Sequence, residues 1–158
     1  MSTRDAAVVA LGEAVKFESD GRDFYLRAAG AAANPLAKAV LEALAEDERD
    51  HVRRVREIYE ELKGKPGWPD VASMVTRASG VLDAFERAAT NLAAVLRPDA
   101  PAREALATAT EMEKQGLAFY RERVAKATCA AETEFFRQLV VEEEVHLHVL
   151  ARLRATVG

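Results

Sequence analysis

The sequence holds a single cysteine, Cys129, so neither an internal disulfide nor a thiolate metal site can form within it. Aromatic residues make up only 6 % of the chain, and β-branched residues are few beside Ala, Leu, Glu and Arg. The residues in short supply are those that build sheets, and those in abundance are strong helix formers. No basic block and no alternation of bases with aromatics is present. Twenty-two Lys and Arg stand against 26 Asp and Glu, leaving a net charge of −4, so nucleic acid is not an expected partner. No apolar run approaches the roughly 20 residues of a membrane span. The opening segment MSTRDAAVVALGEAVKFE carries Asp5 and Glu13 and shows no export signal, so the expected location is cytoplasmic. A length of 158 residues, 49 % of them hydrophobic, suits one domain with a real core.

Helix breakers fall in clusters. Gly30 and the Asn34-Pro35 pair form one, with Asn34 placed to cap and Pro35 to enter the first turn of the next helix. Gly64, Pro66, Gly67 and Pro69 form the densest; Gly80, and Pro98 with Pro101, mark others. Between them apolar residues recur at three- and four-residue spacing, as in Leu41, Leu44, Val52, Val55, Ile58 and Leu62. The pattern predicts an all-α, single-domain four-helix bundle made of two helical hairpins. The first covers about 4–62, with helices at 4–31 and 35–62. The second covers about 101–155, with helices at 101–127 and 131–155. A connection at 63–100 carries its own amphipathic helix through Val81, Leu82, Phe85, Leu92 and Val95. Trp68 is expected to pack this connection onto the bundle.

An internal repeat relates the hairpins. KFESDGRDFYLRA matches EMEKQGLAFYRER, pairing Glu18 with Glu113, Gly21 with Gly116 and Tyr25 with Tyr120. LAEDERDH matches LVVEEEVH, pairing Glu48 with Glu143 and His51 with His146. Every pair is 95 positions apart, a constancy that chance does not produce across separated blocks. Within each hairpin the two glutamates lie 30 residues apart, with midpoints at 33 and 128. If the chain reverses there, both glutamates sit roughly 22 Å from the turn, deep in the bundle.

His51 follows Glu48 by three residues, and His146 follows Glu143 by three. Residues at i and i+3 share a helix face, so each pair aims a carboxylate and an imidazole at one spot. One such motif alone would read as a solvated charged face. Two in phase with Glu18 and Glu113 make the donor set of a bundle that holds two divalent metals. Oxygen donors with imidazole suit Fe, Mn or Zn. Tyr25 and Tyr120, two turns from Glu18 and Glu113, are placed to donate hydrogen bonds to metal-bound carboxylates. Plain core packing would look similar in sequence. His148 should face away from the site.

These segments, KFESDGRDFY with EDERDH and EMEKQGLAFY with EEEVH, resemble the rubrerythrin branch of the ferritin-like superfamily along nearly the whole chain. The resemblance implies that Glu18, Glu48, His51, Glu113, Glu143 and His146 are di-iron ligands, with Tyr25 and Tyr120 beside them. Two departures stand out. Rubrerythrins that carry a rubredoxin-like module use two Cys-x-x-Cys motifs for electron delivery, and this sequence has one cysteine. They also carry an extra glutamate three residues after the third-helix ligand, where this chain has Gly116. The expected function is a di-iron oxidoreductase acting on O₂ or peroxide, with a separate redox partner protein as electron donor. The alternatives are a ferroxidase or iron-storage subunit, and a structural Zn or Mn site. A homodimer or larger homo-oligomer is expected.

Overall fold

The computed structural model describes residues 1–74 and 76–157, and among them there are helices and no strands. Four long helices form the bundle: α1 (Thr3–Ala31), α2 (Pro35–Gly64), α5 (Ala100–Lys126) and α6 (Ala130–Val157). The connection between hairpins holds a 3₁₀ turn at Val71–Ser73, α3 (Val81–Ala88) and the short α4 (Leu92–Val95).

Local chemistry sets the boundaries. Ser2 and Asp5 form a capping box at the start of α1. The Asn34 side chain accepts from the backbone N–H of Leu36 and Ala37 at 3.0 and 3.1 Å, with Pro35 in the first turn of α2. Asp99 caps α5 through Ala102 N–H, and its second oxygen accepts from Ala33 and Asn34 N–H at 2.6 and 2.7 Å. The Asn34 amide donates to the carbonyls of Val95 and Arg97. The first hairpin turn and the start of the second hairpin are thus tied at one end of the bundle. The turn at 127–129 contains neither Gly nor Pro. Glu132 makes it by reaching back to accept from the Thr128 backbone N–H and hydroxyl, at 2.9 and 3.0 Å. Cys129 there is exposed.

The connection runs the length of the bundle over the groove between α2 and α6, where α3 packs on both. Trp68 anchors its start, with its ring 5.9 and 5.8 Å from those of Phe135 and Phe136. The single amphipathic helix expected across 81–95 is instead two pieces. The Thr90 hydroxyl donates to the Arg87 carbonyl, and the Asn91 side chain accepts from Ala94 N–H, which ends one helix and starts another. Val81, Phe85 and Val95 are buried, while Leu82 faces solvent; the Leu92 side chain lies outside what is described.

The apolar core is split in two. One half, near the Asn34 turn, is built on Leu36, Leu41, Leu44, Leu106, Leu150 and Leu153. The other, near the 127–129 turn, is built on Leu11, Ile58, Leu62, Phe135, Phe136 and Leu139. Each fully buried Leu, Ile or Phe contributes about 1.5–3 kcal/mol. These two halves hold the four helices in register around a polar layer between them.

Candidate metal centre

All six residues that the spacing singled out meet in that layer. Glu18 is fully buried, and Glu113, the most accessible of them, is 4 % exposed. They fall into two overlapping groups, Glu18, Glu48, His51 and Glu143, and Glu48, Glu113, Glu143 and His146. In each group one donor atom per residue lies within 4.8 Å of the others. Glu48 and Glu143 belong to both groups. Glu18 with His51 and Glu113 with His146 belong to one each.

The imidazoles are stacked, with centroids 5.5 Å apart. The Nδ1 of His51 lies 3.2 Å from Glu18 and 3.4 Å from Glu143; that of His146 lies 3.3 Å from Glu48 and 3.4 Å from Glu113. Both Nε2 atoms point outward to carboxylates: His51 to Glu142 at 2.5 Å, His146 to Asp47 at 3.0 Å. A proton held on Nε2 by an acid leaves the Nδ1 lone pair directed into the cluster, the form that ligates a metal. Each acid is held in turn. Glu142 pairs with the buried Arg54, which also donates from Nε to Asp50 at 2.8 Å. Asp47 accepts from Arg77 at 3.1 Å and from the Ser79 hydroxyl at 2.6 Å.

The tyrosines serve across the bundle. Tyr25 donates to Glu113, and Tyr120 donates to Glu18, so each reaches the glutamate of the other hairpin and not its own. Burial and the neighbouring carboxylates hold both phenols well above their usual pKa, so they remain donors.

The electrostatics set burial against the charges of the cluster. Burial favours the neutral form of every member. Against it, the charge on His51 pulls Glu18 below the ordinary carboxylate value, and that on His146 holds Glu113 at about 2. Burial and the charges of Glu18 and Glu113 push Glu48 and Glu143 well up. Burial lowers both histidines, but the adjacent glutamates outweigh it and raise them well above 6.5. All four raised groups thus favour holding a proton, which offsets the negative charge of Glu18 and Glu113. Divalent ions would offset that charge in the same way. Several buried atoms, Glu48 Oε1, both Glu143 oxygens and His146 Nδ1, have no hydrogen-bond partner among the described residues. Orphaned donors of this kind, in a set of oxygens and imidazoles, fit a pair of metal ions.

Asp47 and Glu142 were missed in sequence, where they read as parts of ordinary charge runs. The signal existed, because they too are 95 positions apart. Arg77 and Ser79 had none, since only the fold brings the connection to this point. His148 is exposed, as expected.

An all-helical bundle with a buried carboxylate and imidazole layer suited to two metals defines the class of ferritin-like di-metal proteins. The family model described as Rubrerythrin matches residues 10–154. The chain belongs to the rubrerythrin family. Neither the curated proteins nor the solved structures compared with it gave a match. No described helix is long and apolar enough to cross a membrane.

Proposed function

We propose that the chain is a di-iron oxidoreductase acting on O₂ or peroxide and re-reduced by a separate protein. The observation that carries this reading is the pair of overlapping donor groups sharing Glu48 and Glu143, which would suit two metals held by common carboxylates. Bound there, two iron ions would supply the two electrons that take O₂ to peroxide or peroxide to water. The chain's own residues do the rest. Glu18 and Glu113 each close one end of the centre, and the tyrosine hydroxyls fix the orientation of their carboxylates. Asp47 and Glu142 keep the histidine protons on Nε2. The two apolar halves of the core exclude water.

Gly116 bears on the choice of oxidant. A Cβ at this position would lie 2.8 Å from Cε1 of Phe17 and 3.6 Å from Glu143 Oε2. The extra carboxylate of the peroxidase-type centre thus lacks both a residue and room. This favours O₂ over peroxide and supports a second reading, ferroxidase or iron handling, in which the metal is substrate. The deciding experiment is metal content with an optical spectrum of the Fe(II)-loaded protein before and after stoichiometric O₂ or peroxide. Rapid oxidation with a colour change is expected, and no reaction with either would remove the oxidoreductase reading. Light scattering separates the second reading, because mineral storage requires a large closed assembly and a dimer would exclude it.

A further inference from the structure

We propose that the cleft between α2 and α6 is the passage by which divalent cations reach and leave the centre, with Arg77 of the connection as the residue that closes it. The inference rests on the metal-centre reading above. A cavity of about 70 Å³ lies on this face, lined by both cluster histidines, Asp47, Asp50 and Glu142, and bordered by Arg77 and Ser79. It connects the outer edge of the imidazoles to the surface at Arg77, whose side chain is 45 % exposed.

Elsewhere the side chains nearest the centre are apolar. The two core halves cover the centre above and below. On the α1–α5 face, Phe17 lies over Gly116 and Met112 over Gly21. A hydrated dication loses its water shell at great cost in such surroundings, whereas carboxylates replace that shell step by step. Asp47, Asp50 and Glu142 supply those carboxylates along one wall-to-wall path. Arg77 opposes entry in two ways: its guanidinium places positive charge at the mouth, and its bond with Asp47 occupies one of the acids that would escort the ion. Arg54, by contrast, is fixed in the interior by Asp50 and Glu142.

The test uses the full-length apo protein and Co²⁺ alone, with uptake followed by stopped-flow absorbance and release driven by a chelator. Arg77→Ala should accelerate uptake and release together, by roughly three- to ten-fold, while two ions still bind per chain at equilibrium. Val145→Phe, which narrows the same cleft, should slow both; if its melting is not cooperative, Val145→Leu takes its place. Phe17→Leu on the opposite face should leave both rates within about two-fold of wild type, since the cavity there has a single carboxylate, Glu13, and no acid among the described residues between it and the centre. Rates indifferent to both cleft substitutions, or sensitive to Phe17→Leu instead, would overturn the passage. So would faster uptake with slower release in Arg77→Ala, the mark of simple charge attraction without a gate. Wild-type protein that binds no Co²⁺ at equilibrium would remove the metal centre and the passage with it. Two bound ions with indifferent rates would remove the passage alone.

Discussion

Outside His51 the first hairpin places Asp50 and Arg54, whereas the second has Val145 and Val149 at the positions 95 residues on. The consequence is that the two histidines are supported differently. Glu142, the partner of His51, is held by Arg54, which is only 1 % exposed and anchored within α2. Asp47, the partner of His146, is held by Arg77 and Ser79, which come from the connection. A second asymmetry lies over the glycines, where Phe17 covers Gly116 and Met112 covers Gly21. The donors themselves, both tyrosines and both outer acids keep the repeat. Two like cations would need like donors, which accounts for the match among the residues of the proposed centre. The layer that supports and covers them is under no such demand, and there the hairpins diverge.

The matched inner layer makes the strongest prediction. Replacing Glu48 and Glu143 together with Ala should abolish binding of both ions, whereas His51→Ala or His146→Ala should each remove only one, as read by metal analysis. Equal losses from all three variants would break the two-group arrangement. Loading should also release protons, because burial and the neighbouring carboxylates raise Glu48 and Glu143 and, against burial, the adjacent glutamates raise both histidines. Since protons and cations compete for the same atoms, affinity must fall as the pH falls. Calorimetry in buffers of different ionisation enthalpy measures the proton count, and a value near zero would contradict the assigned charge states.

The divergent outer layer predicts unequal effects. Arg54→Ala removes a fully buried guanidinium from half-buried Glu142 and leaves Asp50 with only the half-exposed Arg53, and should cost about 3 kcal/mol in denaturant unfolding. Arg77→Ala, which removes a half-exposed guanidinium while buried Asp47 keeps its bonds to Ser79 and His146, should cost about 1 kcal/mol. Similar costs would mean that the two supports are equivalent after all. Tyr25→Phe and Tyr120→Phe should each cost about 2 kcal/mol in unfolding of the metal-loaded protein, because each removes a buried bond to a charged group. A large difference between them would show that the hairpins diverge even in the inner layer. The smallest effect concerns the glycines. Gly116→Ala forces a methyl against the Phe17 ring at 2.8 Å and should destabilise by roughly 1 kcal/mol after the gain in helix propensity. Gly21→Ala meets Glu48 at an ordinary 3.4 Å and should be near neutral. Pairing Gly116→Ala with Phe17→Leu should recover the loss if the ring is its cause.

The bundle was legible because its signals are local or periodic. Apolar spacing marked the four helices, and Asn34-Pro35 marked the first turn. The turn at 127–129, with no Gly or Pro, was found only through the midpoint between Glu113 and Glu143. Composition carries no trace of a turn made by Glu132 reaching back to Thr128. The break at Thr90 and Asn91 was missed for a similar reason: the apolar spacing continues across it, and side-chain bonds to the backbone end the helix.

The six donors of the proposed centre followed from sequence alone, since a constant offset of 95 residues and equal hairpin arms place like residues at like heights. Helical geometry makes that inference nearly independent of packing. Tertiary structure decided the crossed pairing, in which Tyr25 serves Glu113, Tyr120 serves Glu18, and each histidine leans on an acid of the other hairpin. It also decided that Arg77 and Ser79 close the α2–α6 face. Contacts between elements distant in sequence depend on how the hairpins pack side by side and on where the connection lies, and neither is written in any local spacing.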